Sequence, residues 1–437
     1  MPRLRLSACA TTALCGMATC AFAQSTITIA TVNNPDMIVM QELSAEYTAA
    51  HPEVTLEWVV LPENELRQKV TTDIATGAGT YDILTIGTYE VPIWGELGWL
   101  TPFDGVPADY DLEDVYQSVR SGLSYDGTLY ALPFYAESSF LFYRKDLFEA
   151  AGIEMPEQPT YDQLMDWSAK LHDPDNNLYG TCQRGKPGWG ENMAFVGLLV
   201  NTFGGEYINA EWKPEIDSPE WHDALTYYVE LMTKYGPPGA ASNGHLENRT
   251  LFAAGNCATW VDATSAAGYM FNPEESKVAE TVGFANAPVG PYDKGTHWMW
   301  SWALAVPASS PDAAAAQDFI YWATSKGYIE RVAEENGWVS VPPGTRHSTY
   351  ENQNYLDAAP FALMTLEAIE TADPTDAHRD PVPYVGVQFV PIPEFQAIGT
   401  EVGQYVAAAL SGDMTVDEAL AEAQAAADRI MREAGYY

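Results

Sequence analysis

The chain has 437 residues, 47% apolar and 19% charged, a globular composition with length for roughly three domains or two large ones. Lys and Arg number 21 against 60 Asp and Glu, a formal charge of −39. That balance excludes an electrostatic footprint for nucleic acid or anionic lipid and argues against a highly anionic solute.

The first 23 residues read as an address. Arg3 and Arg5 form a basic start, Leu6 to Met17 carries no charge, and Ala21-Phe22-Ala23 has the small-x-small form of a signal-peptidase site. Cleavage is expected after Ala23, with export to the periplasm. A lipid anchor on Cys20 is the alternative, but Met17-Ala18-Thr19 suits it poorly. Loss of the segment leaves Cys182 and Cys257. An even pair in an oxidising compartment suggests one disulfide, with two buried thiols as the alternative. No zinc or calcium motif is present in the sequence, and no metal or cofactor is expected.

From Thr26 the pattern is β-α-β-α-β. Thr26 to Val32 alternates as a strand, and Asn33-Asn34-Pro35-Asp36 opens a helix. Met37, Met40, Leu43 and Tyr47 mark that helix, which Pro52 ends. Val54 to Val60 alternates again, Glu63 to Thr76 reads as a helix closed by Gly77, and Tyr81 to Ile86 is a third strand. Such units build doubly wound sheets that bind ligands beyond the carboxyl ends of their strands. Asp126-Gly127 is a hairpin turn, and Leu132 to Tyr143 an extended aromatic stretch with one charge, Glu137. Helices follow at 144–151, 161–171, 192–203, 218–234 and 247–254. Cys257 to Val261 and Ser301 to Val306 read as strands; 311–324 and 326–336 are helical. Thr415 with Glu418 is a capping box opening a final helix to about Glu433. No linker or repeat separates beads on a string, so the chain is expected to cross between lobes several times.

Three segments carry a specific resemblance: Glu137-Ser-Ser-Phe-Leu-Phe-Tyr-Arg-Lys-Asp146 through Gly152, Ala75-Thr-Gly-Ala-Gly-Thr-Tyr-Asp82, and Ser411-Gly-Asp-Met-Thr-Val-Asp-Glu-Ala-Leu420. They resemble the crossover, the second ligand loop and the C-terminal helix entry of extracellular solute-binding proteins of carbohydrate ABC transporters. Thr31 to Met37, Thr85 to Trp94, Arg184 to Asn192, Trp260 to Ala263 and Tyr384 to Phe389 resemble the sorbitol- and mannitol-binding type. The resemblance implies an α/β, two-lobe, type II periplasmic-binding-protein fold, each lobe a sheet flanked by helices. It implies lobe 1 over 24–136 and 300–345 and lobe 2 over 137–299 and 346–437. Crossings are expected near Tyr135–Phe140, Trp298–Trp302 and Pro343–Tyr355, with hinge closure on the ligand. The implied partners are a polyol or sugar and a cognate ABC permease in the inner membrane, with the protein a monomer.

A hexitol presents neighbouring hydroxyls on a C–H backbone, so its cleft needs carboxylates, amides and aromatic faces. Asn33, Asn34 and Asp36 lie after the first strand, though Asn34 and Asp36 also suit a helix cap. Tyr89 and Glu90 follow the third strand. Glu137 matches the cleft carboxylate of the resembled family. Arg184, Trp189 and Asn192 sit in a glycine-rich segment where backbone approaches closely. Trp260 and Asp262 end a strand, and Trp298 and Trp300 alternate beside a crossing. Tyr384 and Gln388 complete the candidate ligand set. A binding protein for a monosaccharide or oligosaccharide is the alternative. The remoter one is a glycoside hydrolase pairing Glu137 with Asp262 or Asp36. No nucleophile elbow, phosphate loop or nucleophile–base pair supports an enzyme.

Overall fold

The computed structural model describes residues 24–372 and 375–437, so the expected signal segment lies outside the described residues. Three parallel strands come first: β1 Ser25–Val32, β2 Val54–Leu61 and β3 Ile83–Gly87. Between β1 and β2 runs the helix Pro35–Ala50, started by Asn34, whose Oδ1 accepts from the Met37 N–H at 2.9 Å. Between β2 and β3 runs the helix Glu63–Thr76, stopped by Gly77 at φ 62. The Asp126-Gly127 hairpin joins β4 Ser124–Tyr125 to β5 Thr128–Leu129.

The extended aromatic stretch is two strands, β6 Ala131–Glu137 and β7 Ser139–Arg144, and they belong to different sheets. Two further strands, β8 Thr259–Ala263 and β9 Val282–Asn286, flank β7 on either side and run antiparallel to it. The chain then returns to the first sheet as β10 Trp300–Ala305, antiparallel to both β3 and β6. The first sheet therefore has the order β2-β1-β3-β10-β6, and the second β8-β7-β9. The strand read at Cys257–Val261 lies two residues further on, and β9 had no counterpart in the sequence reading.

Each sheet is covered by helices. Tyr47, from the first helix, packs edge-on against Phe319 at 5.1 Å and donates to Asp318. In the second sheet Phe142 and Trp260 stack at 5.3 Å, with Phe252 against Trp260 at 6.0 Å. Cys182 and Cys257 are joined, with Cα atoms 5.8 Å apart and a separation of 75 residues. Arg346 and Ser348 remain tied to the first sheet's side. Arg346 donates to the carbonyls of Tyr110 and Thr324, and Ser348 to Asp114. The helix Phe395–Ser411, absent from the sequence reading, packs on the second sheet's helices.

Candidate functional site

A cavity of about 780 Å³ lies between the two sheets. Its first wall is the carboxyl end of β1 with Asn33, Asn34 and Asp36, together with Tyr135 and Glu137 of β6 and Trp298, Trp300 and Trp302. Its second wall is the loop Arg184 to Glu191, the helix starting at His245, and Ser265 beyond β8. A ligand cavity at the carboxyl end of a parallel strand is where an α/β sheet places one. Among the described residues, no group of three or more His, Cys, Asp or Glu side chains could hold a metal.

Glu137 ends β6 and is 7% exposed. Burial pushes its carboxyl up to about 8, against a hydrogen bond from Ser265 and the charge of Arg184. Near neutrality it is largely a neutral acid, able to donate as well as accept. Asp36 sits in the first turn of its helix, and burial pushes it up to about 7, against a backbone hydrogen bond and Arg249. Asn34 spends Oδ1 on the helix cap and points Nδ2 to the Tyr135 hydroxyl at 3.5 Å. The indole N–H groups of Trp189 and Trp298 and the Oε1 of Gln388 line or face this region without a hydrogen-bond partner among the described residues. Unpaired donors and acceptors beside aromatic faces suit a polyhydroxylated solute.

Of the candidates, Asn33, Asn34, Asp36, Glu137, Arg184, Trp189, Trp298, Trp300 and Gln388 line the cavity. The other six do not, and each has a physical reason. The Tyr89 hydroxyl donates to the Ile392 carbonyl at 2.9 Å, its ring packed on Trp189 and Phe389. Glu90 accepts from Arg67 at 2.5 Å and from the Gly87 N–H at 3.0 Å. Asn192 donates to the Gly403 carbonyl at 2.7 Å and accepts from the Gly188 N–H. Trp260 is fully buried in the second sheet's aromatic core. The Tyr384 hydroxyl accepts from the Tyr207 N–H at 3.2 Å.

Asp262 is the sharpest difference. Arg184 grips it through Nε at 2.9 Å and Nη2 at 2.5 Å, and His245 Nδ1 lies at 2.9 Å from the same carboxylate. The Ala263 N–H adds a fourth contact at 2.7 Å. Burial would raise this carboxyl, but Arg184 and His245 outweigh it and hold it well below the usual carboxylate range. Asp262 thus orients Arg184, which in turn donates to the Gly190 carbonyl at 2.7 Å and so holds the glycine-rich loop.

Among the contributors that went unread in the sequence are Arg67, Glu63, His245, Ser265 and Arg249. Arg67 had a signal, since it falls on the buried stripe Leu66, Arg67, Val70, Ile74 of its helix. Arg249 lies 4.4 Å from the Tyr269 ring and had none.

A profile for bacterial extracellular solute-binding proteins matches residues 34–330. This chain belongs to that family. The binding protein is 54% identical to the mannitol-binding protein of Pseudomonas aeruginosa over 431 residues, 99% of each chain. It superposes with a TM-score of 0.93 on an ABC transporter solute-binding protein from Agrobacterium vitis with bound D-mannitol. That pair is 56% identical, covering 94% of this chain and 99% of the other. A second solute-binding protein, from Agrobacterium radiobacter in complex with ribitol, gives 0.83 at 27% identity, with 94% and 99% coverage. The two-lobe type II fold expected from the sequence is the fold of this binding protein, and its family is one of solute binders, not enzymes.

Proposed function

We propose that this binding protein captures a linear sugar alcohol, D-mannitol before others, and delivers it to a cognate ABC permease in the inner membrane. The observation that carries this reading is the likeness, over nearly the whole chain, to a structure holding D-mannitol. The cavity supports it with two carboxyls, Asp36 and Glu137, unpaired indole N–H groups and the tryptophan faces of Trp298 and Trp300. The enclosing bodies are lobe 1, built on the first sheet and carrying Glu137, Arg346 and Ser348 with it, at both boundaries beyond the 24–136 and 300–345 expected from the sequence, and lobe 2, built on the second sheet. They close on the solute by hinge motion. The protein acts as a periplasmic monomer after cleavage behind Ala23.

The test is thermal unfolding and calorimetry against hexitols, pentitols, monosaccharides and disaccharides. A ligand at 100 times its Kd adds about 2.7 kcal/mol of stability. Hexitol-selective stabilisation supports the reading. Stabilisation by sugars alone would overturn the polyol assignment.

A further inference from the structure

Beside the cavity, the two proposed lobes meet along a seam. Asn64 donates to the Pro187 carbonyl at 2.9 Å, and Thr71 to Gln396 at 3.0 Å. At its centre stands Arg67, 5% exposed. Its Nη1 donates to Glu90 at 2.5 Å, and its Nε and Nη2 to Glu63 at 3.0 and 2.9 Å. Both carboxylates lie in lobe 1, so the plane of the guanidinium is set from that side alone.

The face so presented is covered by indole. The guanidinium carbon lies 3.9 Å from the Trp189 ring centroid, 4.7 Å from Trp302 and 5.1 Å from Trp300. Trp300 and Trp302 belong to β10 of the first sheet, whereas Trp189 comes from the glycine-rich loop of lobe 2. The next residue must be glycine for this approach. A Cβ on Gly190 would fall 2.1 Å from Glu63 Oε1 and 3.2 Å from Arg67 Nε. Trp189 also lines the cavity, so one indole meets both Arg67 and the space for the solute.

We infer that Arg67 is a positioning residue for solute capture: the fixed cationic face on which Trp189 docks when the lobes close. The inference rests on the two-lobe closure proposed above. Arg67 reaches the cavity wall, but its hydrogen bonds run to Glu63 and Glu90, and it acts on the solute through Trp189. Affinity is then set partly by a contact between a cation and a ring that becomes strong once desolvated.

The test is a double-mutant cycle in mannitol affinity on the folded protein, using Arg67→Gln, Trp189→Leu and both, with dissociation rates measured in parallel. Arg67→Gln is expected to weaken binding at least tenfold through faster dissociation. The order of preference among hexitols and pentitols should stay unchanged, and Arg67→Gln should add little once Trp189 is Leu. Arg67→Lys keeps the charge without the planar fork. It should fall between the two, and it replaces the Gln variant in the cycle if that one does not fold. Wild-type affinity and dissociation, additive losses, or an altered order among polyols would each overturn the inference while the polyol reading stands. A wild-type protein that binds no polyol overturns both.

Discussion

Ser265 donates to Glu137 Oε2 at 2.5 Å, across the gap between the two sheets. Glu137 closes β6 of the first sheet, and Ser265 follows β8 of the second. The bond ties the orientation of the cavity's central carboxyl to the second body. Glu137→Ala is expected to weaken polyol binding by about 1–3 kcal/mol, the range for leaving a buried hydrogen-bonding partner unsatisfied. Glu137→Gln, which keeps a donor and an acceptor, should cost less. Calorimetry on both variants checks this, and wild-type affinity in the Ala variant would remove Glu137 from the solute's contacts.

The same carboxyl predicts a pH dependence of stability. Glu137 rises from 4.5 to about 8 on folding, and Asp36 from 3.8 to about 7. For an acid raised on folding, the native state holds the proton longer than the unfolded state. Their contribution is present in full below the unfolded values and is lost as pH climbs through about 7 and then about 8. The solute-free protein should therefore unfold at a lower temperature at pH 8.5 than at pH 5.5. Glu137→Gln should flatten that fall, since each tenfold gain in proton affinity on folding couples about 1.4 kcal/mol of stability to pH. An unchanged slope in the variant would sink the assignment.

Arg184 and Asp262 predict an effect on stability. Arg184→Ala would leave Asp262 buried with its main partner gone, at a cost of about 3–5 kcal/mol. Denaturant unfolding monitors the loss. A variant as stable as wild type would show that the fork contributes nothing to the second body.

The Cys182–Cys257 bridge spans 75 residues. In the chain-entropy account, closing such a loop contributes about 4 kcal/mol. Replacing both cysteines by Ser is expected to lower the unfolding temperature by several degrees. Neither cysteine lines the cavity, so polyol affinity measured well below that temperature should hold.

Much of the first body was legible because its signals are local. Alternation marks β1 and β2, and Asn34 and Gly77 mark helix ends whose geometry those residue types favour. Glu137 was legible because a single charge in an apolar strand demands an explanation. The boundary at Ser138 was not, since residues on either side look alike and only tertiary placement sends them to different sheets. The five-residue β9 carries a glycine and an asparagine, and the helix Phe395–Ser411 contains Gly399 and Gly403, so propensity hides both. Asp262 and Trp260 show a different limit. Strand alternation says which residues share a face, but not whether that face meets solute, a neighbouring arginine or an aromatic core. Arg67 pairs with Glu63 as an ordinary i,i+4 partner; its place on the helix's buried stripe marks it as packed, but not that it packs against three tryptophans.

β10 lies inside the first sheet although it is the last of its strands in sequence, held between β3 and β6. Until residues 300–305 arrive, β3 and β6 have no shared neighbour and the sheet stands split. No N-terminal fragment ending before that point can close the first body. Long-range pairing of this kind is slow and comes late. A chain made from its N-terminus completes its second set of strands before its first sheet, which waits for the segment that begins about two thirds of the way along.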